Sequence, residues 1–477
     1  KEIFSGNQEL FKGLWIYDQI EWKEYPIIRI DFSNMLYTHG SQGFEESFFS
    51  TIRSLAEDYK IELIEKNYKD AFKELLLKLS KMIPKGSPGE EKVVLLIDEY
   101  DKPITNFVDD LEIAKKNREI LKNFYETIKA CDEYIRFAFL TGVSKFSKVS
   151  VFSGLNNIQD ITLDERFSTI AGYTEEELLS YFDEYIVELA KKLNVTEKVL
   201  KDELKRFYNG YSWDGKNFVY NPFSILYAFT AKKIENYWFQ SGTPTFLIKL
   251  IKEYSMDIKK LERLELTIEA FSSYEVDNMN VEALLFQTGY LTIKEIIEYS
   301  ISEREYVLSY PNMEVRDSLL KYILDDFVGK NVNDNISIRR MIKSLQKKDL
   351  KEFFTILTSL FGSIPYEIFP KDKNKLSDKE SYYHTIFYLI FKLIGINIQS
   401  EISVSKGRID AVVETDENIY IFEFKIGRSP KKAIEQIQEK FYYESYLARK
   451  KEIFLVGVTF SISKRNIKDW KVRKLSV

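Results

Sequence analysis

Cysteine is almost missing from this chain of 477 residues. Cys131 stands alone, which excludes an internal disulfide and any cysteine-rich zinc site. A single thiol fits a reducing cytoplasm, the expected location. Histidine is nearly as scarce, with only His39 and His384 present. That excludes multi-histidine metal centres and argues against histidine-triad chemistry, leaving carboxylates, lysines and hard metal ions for any catalysis. No run of about 18 apolar residues occurs, so neither a membrane span nor a membrane partner is expected. No secretory signal opens the sequence. Glycine and proline are few, and neither a low-complexity tract nor an internal repeat is present.

What is abundant is apolar and charged surface together, the composition of a globular chain. At roughly 150 residues per domain, about three domains are expected. The net charge of −5 hides an asymmetry: residues 371–477 hold 21 Lys and Arg against 14 Asp and Glu, whereas the first 370 hold 48 against 60. A basic end on an acidic chain hints at a polyanionic partner, and a lysine-rich solvated face would give the same count.

Residues 1–165 alternate strand-like and helix-like runs. "YPIIRIDFS" (25–33), "KVVLLIDEY" (92–100) and "IRFAFLTGV" (135–143) read as buried parallel strands. Helical periodicity fills 44–60 and 118–132, and "PKGSPGEEK" (84–92) reads as a loop. This is an α/β pattern with helices on both faces of a sheet. Residues 166–330 read as mostly helical, a lid or winged-helix-like region in which Thr174 and Glu177 form a capping box. A helical bridge is expected over 331–374. From 375 to 477 the order is α, β, β, β, α, β, with strands at about 397–404, 408–414 and 418–426, a helix from Pro430 and a strand "EIFLVGVTF".

In the strand "IYIFEFK", Tyr420, Phe422 and Phe424 share one face while Ile421, Glu423 and Lys425 share the other. Unpaired charges there would cost several kcal/mol. Asp410 on the preceding strand completes a D…ExK pattern. Two carboxylates, with the Phe424 carbonyl as a third oxygen, suit Mg²⁺ or Mn²⁺. Such a metal would polarise a scissile phosphate, and Lys425 would orient water and stabilise developing charge. An ion pair of Glu423 with Lys425 or Arg408 is the plainer reading of the same residues.

Over about residues 375–460 the chain resembles the PD-(D/E)XK nuclease superfamily. The resemblance implies metal ligands at Asp410 and Glu423 and a catalytic lysine at Lys425. It also implies a substrate-side glutamine, for which Gln436 is the candidate ahead of the Gln438–Tyr442 pair. Glu380, one helical turn before His384, is where some branches carry a metal-assisting glutamate; a solvent-facing helix start reads equally well. Glu401 is a further acid on a neighbouring strand.

In the first region, Val94 to Ile97 run into Asp98-Glu99, a Walker B arrangement in which the aspartate would hold Mg²⁺ through water and the glutamate would polarise the attacking water. Thr141 or Ser144, in "TGVSK" after the next strand, is the candidate γ-phosphate sensor. A buried strand ending in acids and a polar turn would look the same. No G-x-x-x-x-G-K-[ST] loop is present. The chain opens on Lys1 within an apparent helix tail, so an upstream segment with the first strand and phosphate loop is expected.

The landmarks "ELFKGLWI", "LIDEYDKPI", "LTGVSKFSKVSVFSGLNNI", "FYNGYSW", "FQTGYLT" and "YPNMEVR" together resemble the bacterial AAA-ATPase-like family fused to a C-terminal PD-(D/E)XK domain. The resemblance implies a P-loop NTPase module that uses ATP, a helical lid and a nuclease that cuts nucleic acid, DNA being the expected substrate. ATPase-like domains often act in assemblies, so a homo-oligomer is one open outcome. The expected function is Mg²⁺-dependent phosphodiester hydrolysis coupled to the ATPase-like domain. The alternative is an ATP-binding regulator or interaction protein whose nuclease-like domain binds without cutting.

Overall fold

Three short apolar runs of the N-terminal region form a parallel sheet in the computed structural model: β1 (Ile27–Asp31), β2 (Val93–Asp98) and β3 (Ile135–Leu140), in the order β1–β2–β3. The structure describes the chain except residues 83–91, 108, 146–154, 156, 239–246, 248–249, 252–255, 272–279, 329–334, 363–384, 391, 393–396, 405–406, 462 and 476–477. The expected loop at 84–92 thus falls, but for Lys92, outside the described residues. Two compact units divide the chain. One comprises Lys1–Ile170, Trp213–Lys216 and Glu265–Val307; the other comprises Ala171–Ser212, Asn217–Leu264 and Leu308–Val477.

In the first unit, β1 and β2 are registered so that Asp31 lies beside Asp98, and both strands end on an acid at the same edge of the sheet. Helix α1 (Gly40–Asp58) buries Phe44, Phe48, Ile52 and Ala56 at helical spacing. Helix α2 (Tyr68–Met82) adds Phe72, Leu75, Leu76 and Leu79. A short α3 (Lys102–Thr105) follows β2, and α4 (Leu111–Ala130) starts where the Asp110 carboxylate accepts the Ile113 N–H. The core is aromatic: Phe124 of α4 packs edge-on against Phe48 at 4.9 Å and Phe72 at 4.7 Å. Each such ring contributes about 2–3 kcal/mol by burial. A separate three-stranded sheet, β4 (Leu264–Leu266), β5 (Thr292–Glu298) and β6 (Arg304–Ser309), runs in the order β4–β6–β5. It interrupts a region that reads as helical.

The second unit begins with four helices, α5 (Glu175–Tyr181), α6 (Asp183–Leu193), α7 (Glu197–Tyr208) and α8 (Pro222–Ala231). The Thr174–Glu177 capping box forms. The helix that follows it breaks at Phe182, whose ring stacks on Phe229. Likewise the helical bridge expected over 331–374 holds two helices, Asn335–Gln346 and Leu350–Gly362, separated where Lys348 turns left-handed. Both pack on the C-terminal sheet. The Tyr420 hydroxyl donates to the Leu345 carbonyl at 2.6 Å, and Phe353 lies against Phe422.

That sheet has five strands in the order β11–β10–β9–β8–β7: β7 (Asn397–Val404), β8 (Gly407–Glu414), β9 (Asn418–Ile426), β10 (Glu452–Ser461) and β11 (Asn466–Lys474). β7, β8 and β9 form an antiparallel meander, β9 and β10 are parallel, and β11 closes the edge antiparallel to β10. The helix Pro430–Glu439 makes the crossover between β9 and β10. It ends at Glu439, after which Phe441 turns left-handed and a 3₁₀ segment, Glu444–Arg449, follows. Strand β11 is an addition to the expected order.

Candidate functional site

Strands β8 and β9 pair with Ala411 opposite Phe422 and Val412 opposite Ile421, so the next step of the ladder brings Asp410 to Glu423. There the Phe424 N–H donates to Asp410 Oδ2 at 2.8 Å. The two-residue period of β9 turns Tyr420, Phe422 and Phe424 to one face. Phe454 receives Tyr420 at a ring distance of 5.1 Å, Phe353 receives Phe422 at 6.2 Å, and Phe387 receives Phe424 at 4.8 Å. The other face carries Ile419 and Ile421 into a cluster with Ile434, Ile437 and Leu455 under the Pro430 helix. Glu423 and Lys425 continue that face. Glu423 is only 1% exposed. Its Oε1 takes the Lys425 ammonium at 2.6 Å and also the Gln436 amide of the crossover helix. A buried carboxylate is costly alone, and these two donors offset its desolvation.

The structure therefore gathers Asp410, Glu423, Lys425 and Gln436. The competing pair separates: Gln438 accepts from Arg473 at 3.0 Å, while Tyr442 is buried in the core. Glu380 and His384 lie outside the described residues, as do the side chains of Glu401 and Arg408. Two carboxylates beside a backbone carbonyl are hard oxygen donors, and a divalent ion that retains several waters fits them. Among the described residues no group of three or more His, Cys, Asp or Glu could hold a metal, so any ion here would rest on two carboxylates with carbonyl and water.

A second polar cluster stands at the ends of β1 and β2. Asp98 Oδ1 accepts the Thr141 hydroxyl at 2.6 Å and the Glu99 N–H at 3.1 Å. Ser144 is placed differently from Thr141. It is buried, its N–H donates to Asp101 Oδ2 at 2.7 Å, and its carbonyl accepts the Tyr100 hydroxyl at 2.7 Å. Asp101 also accepts the Val143 N–H at 3.1 Å. Sequence reasoning missed Asp101; its one signal is Gly142, where an added Cβ would stand 2.5 Å from Asp101 Oδ1. Burial pushes the Asp101 carboxyl up to about 6, against the opposing hydrogen bonds from Ser144 and Val143. Burial also raises the Tyr37 phenol, with the charges of Asp101, Asp31 and Glu99 adding to it. Gln287 fixes the far end of the 141–145 turn by accepting the Lys145 N–H at 2.6 Å.

A parallel α/β sheet ending in acids, and a mixed sheet carrying an Asp, Glu, Lys row, define an NTPase-like module and a nuclease-like module. Residues 1–152 match the family described as a predicted AAA-ATPase, and residues 378–470 match the PD-(D/E)XK nuclease superfamily. An uncharacterized protein in the vnfD 5′ region of Azotobacter chroococcum mcd 1 is 36% identical over 477 residues, covering 99% of this chain and 88% of that protein. The chain belongs to this family of AAA-ATPase-like proteins with a C-terminal PD-(D/E)XK nuclease superfamily domain. No solved structure matches it. Among the described residues, no helix is long and apolar enough to cross a membrane.

Proposed function

We propose that this chain is a metal-dependent nuclease that hydrolyses phosphodiester bonds of DNA at the Asp410–Glu423–Lys425–Gln436 cluster. The observation that carries the reading is the convergence of Lys425 and Gln436 on one oxygen of buried Glu423, with Asp410 bound to the peptide that follows it. Asp410, Glu423 and the Phe424 carbonyl would hold Mg²⁺ or Mn²⁺. A bound ion supplies Lewis-acid polarisation and charge neutralisation at the phosphate. Lys425 keeps a cationic donor, 16% exposed along its side chain, where negative charge develops on phosphate oxygens. Gln436 holds the Glu423 carboxylate in one orientation through its amide, beside the Lys425 ammonium. Asp410 is oriented in turn by the Phe424 N–H.

The test is incubation of the full chain with single- and double-stranded DNA and RNA in Mg²⁺, Mn²⁺ or chelator. Cleavage that requires the metal and is lost in Asp410→Ala and Lys425→Ala supports the reading. Metal-independent cleavage, or cleavage retained in either variant, overturns it. A second reading draws on the Thr141 hydroxyl bound to Asp98: an ATP-dependent regulator in which Asp98, Glu99 and Thr141 address a nucleotide and Mg²⁺. It calls for nucleotide binding without cleavage under any metal.

A further inference from the structure

Strand β10 offers no charged group to the cluster, yet two of its residues lie directly beside it. Gly457 is the ladder neighbour of Glu423, and Thr459 is the neighbour of Lys425. Both are buried. The start of the Pro430 helix presses onto Gly457. A Cβ there would meet the Pro430 carbonyl oxygen at 2.1 Å and the Ala433 Cβ at 3.0 Å. The first contact is with backbone, which cannot rotate away, so any side chain at 457 must lift the helix from the sheet. The Thr459 hydroxyl donates to the Arg428 carbonyl at 2.8 Å. That bond pins the turn between Lys425 and Pro430, in which Gly427 is left-handed. Gln436, which binds Glu423, rides on the same helix two turns further along.

We propose that Gly457 and Thr459 are positioning residues that set the height and the starting point of the crossover helix, and so bring the Gln436 amide onto the Glu423 carboxylate. Neither touches a reacting group. Their action passes through Gln436, which makes the proposal separable from simple packing. It rests on the nuclease reading for its activity readout, and the cluster's affinity for Mn²⁺ supplies a readout that does not depend on cleavage.

The experiment is a double-mutant cycle on the full chain with Gly457→Ala, Gln436→Ala and the pair. Mg²⁺-dependent DNA cleavage is followed together with Mn²⁺ binding by calorimetry and the thermal midpoint. If Gly457 acts through Gln436, each single variant lowers kcat with little change in KM. Each also weakens Mn²⁺ by about 10- to 100-fold, the cost usual for losing a group that orients a metal ligand. The pair would then be no worse than either alone. Thr459→Val should reproduce a smaller loss, and Thr459→Ser, which keeps the hydroxyl, should restore it. Additive losses in the pair, or unchanged kcat and Mn²⁺ affinity in Gly457→Ala, overturn the proposal. If Gly457→Ala does not fold, the comparison of Thr459→Val with Thr459→Ser decides it: equal behaviour overturns it. A wild-type chain that cuts nothing while the Mn²⁺ cycle remains non-additive would remove the nuclease reading and leave the positioning roles standing.

Discussion

Acidic residues gather in both modules, at the ends of β1 and β2 and at the junction of β8 and β9, but they are answered by different partners. In the N-terminal cluster, Asp98 takes a hydroxyl and a main-chain N–H, and Asp101 takes two main-chain N–H groups. In the C-terminal cluster, Glu423 takes an ammonium and an amide from side chains. Main-chain donors fix a turn. Side-chain donors can exchange partners when a substrate or cation arrives, and they bring charge of their own. The contrast ties Asp101 to the architecture of its loop and agrees with the chemical role proposed for Glu423.

The sharpest way to break this contrast is to remove the cation. Lys425→Ala should lower metal-dependent cleavage by at least about 10²- to 10³-fold, the usual loss when a charge-stabilising donor is deleted. A nicking assay on supercoiled DNA checks it. Asp101→Ala should instead act on folding, leaving the buried Ser144 N–H unmet at about 1–3 kcal/mol and releasing the part-buried Val143 N–H as well. Chemical denaturation should show a lower midpoint, and cleavage per folded molecule should stay within a few-fold of the parent if the modules act independently.

The pH dependence sharpens the same point. Asp101 titrates near 6 in the folded chain and near 3.8 when unfolded, so the native state binds this proton more tightly. Its contribution is fully present below about pH 4 and is lost as pH rises through about 6, a loss of roughly 3 kcal/mol. In Asp101→Asn that loss should vanish, so the stability difference between parent and variant should shift across this window and stay flat above pH 7. Thermal melts from pH 4 to 8 measure it. Next in size is Tyr420→Phe, which removes one hydrogen bond to the Leu345 carbonyl and should cost about 1 kcal/mol. The smallest effect is expected from Lys431→Ala, since its 3.8 Å pair with Glu435 is exposed on a helix surface. Less than about 0.5 kcal/mol is expected, within the error of a urea titration.

Much of the C-terminal module was legible because its strands are strongly patterned. β7 and β9 run over the residues expected, and β8 starts one residue earlier, at Gly407. β11 was not legible, because Lys468, Lys471, Arg473 and Lys474 crowd its sequence. Only Ile467, Trp470 and Val472 carry the apolar signal of an edge strand. The helix breaks at Phe182 and Lys348 were hidden too, since neither position holds glycine or proline and tertiary packing made the choice. Of the site, Asp410, Glu423 and Lys425 follow from residue type and strand period. Gln436 was already the candidate ahead of Gln438, and the docked helix puts the first amide on Glu423 and the second on Arg473. Asp101 escaped notice because burial, which no local pattern records, is what distinguishes it from Asp98 and Glu99.

By itself, the sequence determined the chemistry available: carboxylates and lysines in abundance, with one thiol and two imidazoles in the whole chain. It also determined the two-residue alternation that puts Glu423 and Lys425 on one face of β9. Only the tertiary structure decided which distant groups meet them. The close seat of the crossover helix on Gly457, and the reach of Gln436 to Glu423, are long-range contacts. They are set by packing across the whole sheet rather than by any local propensity.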